Sequence, residues 1–301
     1  MKLVGVDIGG TSIKLCISNE KGAIEFFEEY DSESKKGGKY VVEKVIRIIS
    51  EFSDFDAIGV STAGQVDNLK GEITYANQNI PNYTGTKLKY ILESRFDVPV
   101  EVENDVNAAA LGEKNFGSGK DFTNFLCLTY GTGVGGAIVL DSNLYNGTNG
   151  LAGEFGHIIT HPSGLPCVCG GNGCYEMYGS VTALVKKSIE VNELYSNGRI
   201  IIDNYNQGNR MLDKVVNDWI DEIAIGLISL IHVFNPQAII IGGGIMEREE
   251  IVRMINTRVK QRIMGSFSKI KIVKASLGNK AGVMGAISLH LSGQAEGVRN
   301  D

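Results

Sequence analysis

Three cysteines fall within eight residues, Cys167-Val-Cys169-Gly-Gly-Asn-Gly-Cys174, and His157 stands ten positions before the first of them. The stretch between is rich in Gly, Pro and Ser, so it reads as a loop free to fold back on itself. A closed Cys₃His set offers Zn²⁺ the four tetrahedral N/S ligands of a structural site. The alternative is a disulfide with one spare thiol, or loop cysteines with no shared role; nothing else in the chain suggests the oxidising compartment that disulfides need. Glu154 and Glu176 bracket the candidate ligands. A metal held by His157, Cys167, Cys169 and Cys174 would therefore fix two carboxylates and an imidazole in one wall. Carboxylates suit a sugar, because each accepts several hydroxyl donors.

Four further stretches carry chemistry. Asp7-Ile-Gly9-Gly10-Thr11 links apolar strands expected at 2–8 and 13–18. A Gly-Gly turn lets backbone N–H groups approach an anion with no Cβ in the way, although an ordinary hairpin would look the same. The pattern returns at Gly131-Thr132-Gly133-Val-Gly-Gly136, between strands expected at 125–130 and 137–141. One such turn is weak evidence; two at matching places point to a duplicated unit, with a boundary near residue 117. Glu103-Asn104-Asp105 sits at a strand-to-helix junction. Its Asn and Asp suit helix capping, and its carboxylate equally suits a general base oriented by the helix start. A third glycine cluster, Gly242-Gly243-Gly244, follows an apolar strand at 238–241.

The elements that must position these residues are legible from periodicity. Helices are expected at 40–52, with Val41, Val45, Ile48, Ile49 and Phe52 inward, and at 86–96, 180–195, 209–233, 247–264 and 281–291. Further strands are expected at 23–30, 56–62, 98–103 and 269–273, a polar loop at 73–83, and a frayed tail from 292. Leu212, Val215, Trp219, Ile223, Leu227 and Ile231 mark the inner stripe of the 209–233 helix. Cys16 and Cys127 lie in apolar runs and read as core residues.

The 301 residues suffice for two ordinary domains, and 43% hydrophobic with 21% charged residues describes a globular chain. The net charge of −6 and the absence of a basic arm argue against nucleic acid as a partner. No apolar run approaches the ~18 residues that span a bilayer. A strand beginning at residue 2 leaves no room for a signal peptide, so a cytoplasmic protein with reduced thiols is expected. Glycine, at 38 residues, far exceeds the average share of about 7%, and it clusters at the turns already named.

Together these pieces resemble the ROK family (repressor, open reading frame, kinase), in its sugar-kinase branch, over essentially the whole chain. Asp7-Ile-Gly-Gly-Thr11 and Gly131-Thr-Gly133 resemble its two phosphate motifs, Glu103-Asn-Asp105 its catalytic segment, and Ile241-Gly-Gly-Gly244 its adenosine motif. Gly153-Glu154-Phe-Gly-His157 and Cys167-x-Cys169-x₄-Cys174-x-Glu176 resemble its sugar and zinc signature. The resemblance implies the duplicated actin/hexokinase-like (ribonuclease H-like) α/β fold. Its domains would be 1–117 and 118–280 around a cleft, with a helix at about 281–292 packing back on the first. It implies ATP with Mg²⁺ held near Asp7 through water, and Gly9, Gly10, Thr11, Gly131, Thr132, Gly133 and Gly242–Gly244 around the nucleotide. Asp105 would be the base, and Gly64, Asn79, Asn104, Glu154, His157 and Glu176 would hold the sugar, with structural Zn²⁺ on His157 and the three cysteines. A homodimer or a dimer of dimers is the expected assembly.

The activity so implied is transfer of phosphate to the 6-hydroxyl of a glucose-type hexose. N-acetylmannosamine and β-glucosides are the alternative acceptors. A sugar-responsive repressor of the same family would carry an added helix-turn-helix domain, for which the first strand leaves no room. Two departures from the family pattern, Tyr83 after Asn82 and Tyr175 after Cys174, are expected to narrow the sugar pocket and to favour glucose.

Overall fold

In the computed structural model, residues 1–291 are described, and they gather into two compact units. The tail expected at 292–301 lies outside the described residues.

The first unit comprises Met1–Asp121, Ser142–Ala152 and the described residues from Asn279. Its strands are β1 (Lys2–Ile8), β2 (Ser12–Asn19), β3 (Ile24–Asp31), β4 (Ala57–Thr62), β5 (Gln65–Asp67), β6 (Glu72–Tyr75) and β7 (Val100–Asn104). The main sheet runs β3-β2-β1-β4-β7. β1 is antiparallel to β2 and parallel to β4, and β4 is parallel to β7. Strands buried on both faces read as continuous apolar runs, as β1 and β4 do. Helix α1 (Gly38–Ile49) buries Val41, Val45, Ile48 and Ile49 against this sheet's core, with Phe52 packed beyond its end. Helices α2 (Leu88–Phe96) and α3 (Asp105–Phe116) follow.

One expectation changes here, and one holds. Part of the polar stretch at 73–83 pairs as a β5–β6 ribbon, and only Val66 and Ile73 give that ribbon a buried face. Three- and four-residue strands with one buried apolar residue each leave no alternation to detect. The last described helix, Ala281–Ser288, lies directly on β1, β4 and α3. Gly59 permits this, since a Cβ there would stand 1.9 Å from the carbonyl oxygen of Ala286.

The second unit comprises Phe122–Asp141 and Gly153–Gly278. Strand β8 (Phe125–Tyr130) turns into antiparallel β9 (Val134–Leu140). On its other side β8 pairs in parallel with the strand Ala238–Gly242, which pairs in parallel with Lys271–Lys274. This repeats the β2-β1-β4-β7 order of the first sheet. Helices α4 (Glu176–Gly179), α5 (Val181–Ile189), α6 (Gly198–Asn206), α7 (Asp213–Phe234) and α8 (Glu249–Arg262) complete the unit. The helix expected at 180–195 stops at Ile189, and α6 was not anticipated, because Asn192 and Asn197 open turns that reset the register. In α7 the buried valine is Val216, beside the expected Val215. Cys16 and Cys127 are buried in their strands, and burial pushes the Cys16 thiol up to about 12. Among the described residues, no helix is long and apolar enough to cross a membrane.

Candidate functional site

Sheet register builds the first cluster. Asp7 of β1 stands opposite Lys14 of β2 and Ser61 of β4, and Ser61 stands opposite Glu103 of β7. Directly opposed residues share a face, so Lys14 donates to Asp7 Oδ2 at 3.1 Å and Ser61 Oγ to Oδ1 at 2.7 Å. Lys14 and Ser61 were missed in the sequence; the only signal was their place in the paired strands. The Gly9-Gly10-Thr11 turn closes with Gly9 N donating to Ser12 O at 2.9 Å. Asn79, exposed, lies against this turn, where a Cβ on Gly10 would be 3.2 Å from its own Cβ.

At the mouth of β7, the capping reading of the Asn104-Asp105 junction holds. Asn104 Oδ1 caps α3, accepting from the amides of Val106 at 2.9 Å and Asn107 at 3.2 Å. Its Nδ2 donates to Gly64 O at 2.9 Å and to Asp105 Oδ1 at 3.0 Å. Asp105 Oδ1 also accepts from Val106 N at 2.9 Å. The carboxylate is thereby fixed in the first helical turn. Burial first, and the charge of Asp7 second, push its carboxyl up to about 6.

The second unit gathers another set. His157, Cys167, Cys169 and Cys174 offer ligand atoms that all lie within 4.8 Å of one another. Cys167 Sγ is 3.6 Å from His157 Nδ1, and Cys169 Sγ is 3.5 Å from Cys174 Sγ. A tetrahedral zinc with ordinary bond lengths requires about 3.6 Å between S and N and about 3.8 Å between two S atoms. The donor set fits. His157 Nδ1 faces the thiols, while Nε2 lies 4.0 Å from Glu154 Oε2. Glu176 Oε1 is 3.2 Å from Cys167 Sγ.

Helix α7, read from the sequence as a core helix, anchors this loop. Trp219 Nε1 donates to the carbonyls of Gly179 and Ser180, each at 3.0 Å. Tyr175 OH donates to Ile223 O at 3.0 Å, and Glu222 holds His161 Nε2 at 2.7 Å. Tyr175 OH also meets Tyr130 OH at 2.8 Å, one residue before Gly131. The turn Gly131-Thr132-Gly133 therefore sits beside Glu176. A Cβ on Gly133 would come 2.4 Å from Glu176 Oε2. Gly243 of the third glycine cluster approaches the same place, with its would-be Cβ 2.1 Å from Tyr130 O.

One expectation fails. Tyr83 and Tyr175 are both fully buried, the first with its hydroxyl 3.0 Å from Thr62 Oγ1. Neither ring can narrow a sugar pocket, and the preference for glucose drawn from them falls. Their rings are large enough to complete a core, and each hydroxyl finds a buried partner.

The chain has close relatives of known activity. A glucokinase of Thermotoga maritima is 32% identical over 96% of this chain and 97% of its own length. A xylose repressor of Bacillus spizizenii is 29% identical, with 95% of this chain matching 76% of that protein. The crystal structure of a ROK family glucokinase from Streptomyces griseus, in complex with glucose and AMPPNP, superposes with a TM-score of 0.84. It is 31% identical, over 96% of this chain and 99% of that one. The fold is the duplicated actin/hexokinase-like α/β fold. The sequence profile of the ROK family matches residues 3–292, and the chain belongs to that family.

Proposed function

We propose that this chain is an ATP-dependent sugar kinase that phosphorylates the 6-hydroxyl of a glucose-type hexose. The observation that carries the reading is Asp105, a carboxylate locked at a helix start with its pKa raised toward neutrality. A base of that kind accepts a hydroxyl proton most effectively near its own pKa. The glucokinase relatives point to the same chemistry.

Phosphoryl transfer asks a protein mainly for positioning and charge neutralisation. The amides of Gly9, Gly10, Gly131 and Gly133 would cradle phosphates, with the Thr11 and Thr132 hydroxyls beside them. Gly242–Gly244 would face the adenosine. Asp7 would hold Mg²⁺ through water, and a carboxylate with a second one, Asp105, in its field suits a hard cation that keeps its hydration. That ion neutralises phosphate charge when bound. Asp105 would take the proton of the 6-hydroxyl as that oxygen bonds to the γ-phosphorus of ATP and the bond from that phosphorus to the β-phosphate oxygen breaks, releasing ADP. Glu154, His157 Nε2, Glu176, Asn104, Asn79 and the backbone near Gly64 would bind ring hydroxyls, and zinc would hold the wall that carries the first three. We infer a cytoplasmic homodimer as the working form.

Gly133→Ala tests the link between phosphate turn and sugar wall. The new Cβ collides only with the mobile end of Glu176, so stability should change by less than about 1 kcal/mol. KM for sugar should rise severalfold. A KM equal to wild type, with Glu176 unmoved in a crystal structure, would break the link.

The decisive assay is ADP release with a panel of glucose, N-acetylmannosamine, a β-glucoside and other hexoses. On the glucokinase relatives alone, glucose is expected to give the highest kcat/KM. A preference above tenfold for N-acetylmannosamine would replace the acceptor and keep the kinase. The xylose repressor relative supports a second reading, a sugar sensor; sugar binding without ADP release from any acceptor would favour it.

A further inference from the structure

We propose that Glu103 is the positioning residue for the base, a carboxylate hub that clamps the chain on both sides of Asp105. The inference rests on the kinase reading above. Glu103 ends the row Lys14–Asp7–Ser61–Glu103 across the sheet and is only 4% exposed. Its Oε1 accepts from the backbone amide of Asn104 at 2.8 Å and from Asn107 Nδ2 at 3.1 Å. These are the residues one before and two after Asp105. Its Oε2 accepts from Asn68 Nδ2 at 3.3 Å, and the Asn146 side chain donates as well.

All four partners are neutral N–H donors, and among the described residues no cation pairs with Glu103. Burial raises its carboxyl above the usual range, against the pull of those donors. A buried carboxylate is a costly way to fill space. What it provides is acceptor capacity on two oxygens with no donor of its own, so four N–H groups from four places converge on one point. Two of them belong to the catalytic turn. The other two, Asn68 beyond β5 and Asn146 in the 142–152 segment, hold the carboxylate from behind. Asn146 shows how committed this arrangement is, since its Oδ1 is buried with no partner. Asn104 can cap α3 and donate to Asp105 only while its own backbone is held, and Glu103 holds it.

The test compares Glu103→Ala and Glu103→Gln in the full chain. Glutamine keeps one oxygen for Asn104 N and Asn107 Nδ2, and alanine keeps none. Misplacing a reacting group by about 1 Å can cost 10²-fold, so Glu103→Ala should lower kcat about 10–100-fold with KM for ATP within about threefold. Glu103→Gln should recover kcat to within about fivefold of wild type. Hydrogen exchange over residues 103–111 should quicken in the alanine variant and not in the glutamine variant. If the alanine variant does not fold, Asn107→Ala cuts the same clamp from the helix side and carries the same expectation. Retention of more than a third of wild-type kcat by the alanine variant, or equal losses in both variants, overturns the proposal. Absence of turnover in the wild-type chain would strike the kinase reading instead, and the exchange measurement would still decide whether the clamp exists.

Discussion

Asp105→Asn should lower kcat by about 10²–10⁴, the usual cost of losing a general base, while sugar affinity stays within about tenfold. The amide keeps the shape of the side chain and its Oδ1 can still accept from Val106 N and Asn104 Nδ2. It cannot take a proton. The pH profile supplies a second readout. Burial and Asp7 raise the folded-state pKa of Asp105 to about 6, so a proton binds as pH falls through that value and removes the base. Wild-type kcat/KM should therefore decline on the acid side of about pH 6 and level off above it, and the asparagine variant should lose that limb. Retention of more than a tenth of wild-type kcat would reduce Asp105 to a residue of the helix start.

Removing zinc should have the next largest effect. Protein purified without added metal should contain close to one zinc per chain, and Cys169→Ser should lose it. Cys169 is the exposed member of the candidate set, so its replacement disturbs little packing. Binding of a structural metal is coupled to the folding of its loop, and the loop between His157 and Cys174 is otherwise held by backbone bonds, such as Thr160 N and His161 N to Gly173 O, and by two side-chain contacts, His161 with Glu222 and Leu165 N with Tyr178 OH. Residues 175–180 have their own anchors on α7. The damage should thus stay local: KM for sugar should rise severalfold or more, KM for ATP should hardly move, and the rest of the fold should remain. Metal content near zero with freely titrating thiols would show that the four residues do not form the site. Equal losses of sugar and ATP binding would show that the loop does more than shape the sugar wall.

Several features needed no structure, because their physics is local. A Cys-x-Cys-x₄-Cys loop following a histidine declares its donors. Asn104 declares a helix cap by residue type and place. Glycine pairs between apolar runs declare turns where a Cβ is unwelcome, and α1 declares its buried stripe by period. From these the duplicated unit, the candidate base and the candidate zinc ligands follow. Other features arise from residues far apart in the chain, which only packing brings together. Strand register alone sets Lys14 and Ser61 beside Asp7, and sets Glu103 at the end of the same row. Tyr83 and Tyr175, placed by sequence near the sugar, are taken by the core because each hydroxyl meets a buried partner there. Helix α7 shows nothing in its apolar stripe of its grip on the loop that carries Glu176. That grip depends on a tryptophan N–H, a backbone carbonyl and a glutamate, whose partners lie some forty to sixty residues earlier in the sequence. Local chemistry fixes which groups are present. The long-range contacts of the folded chain decide which of them face one another.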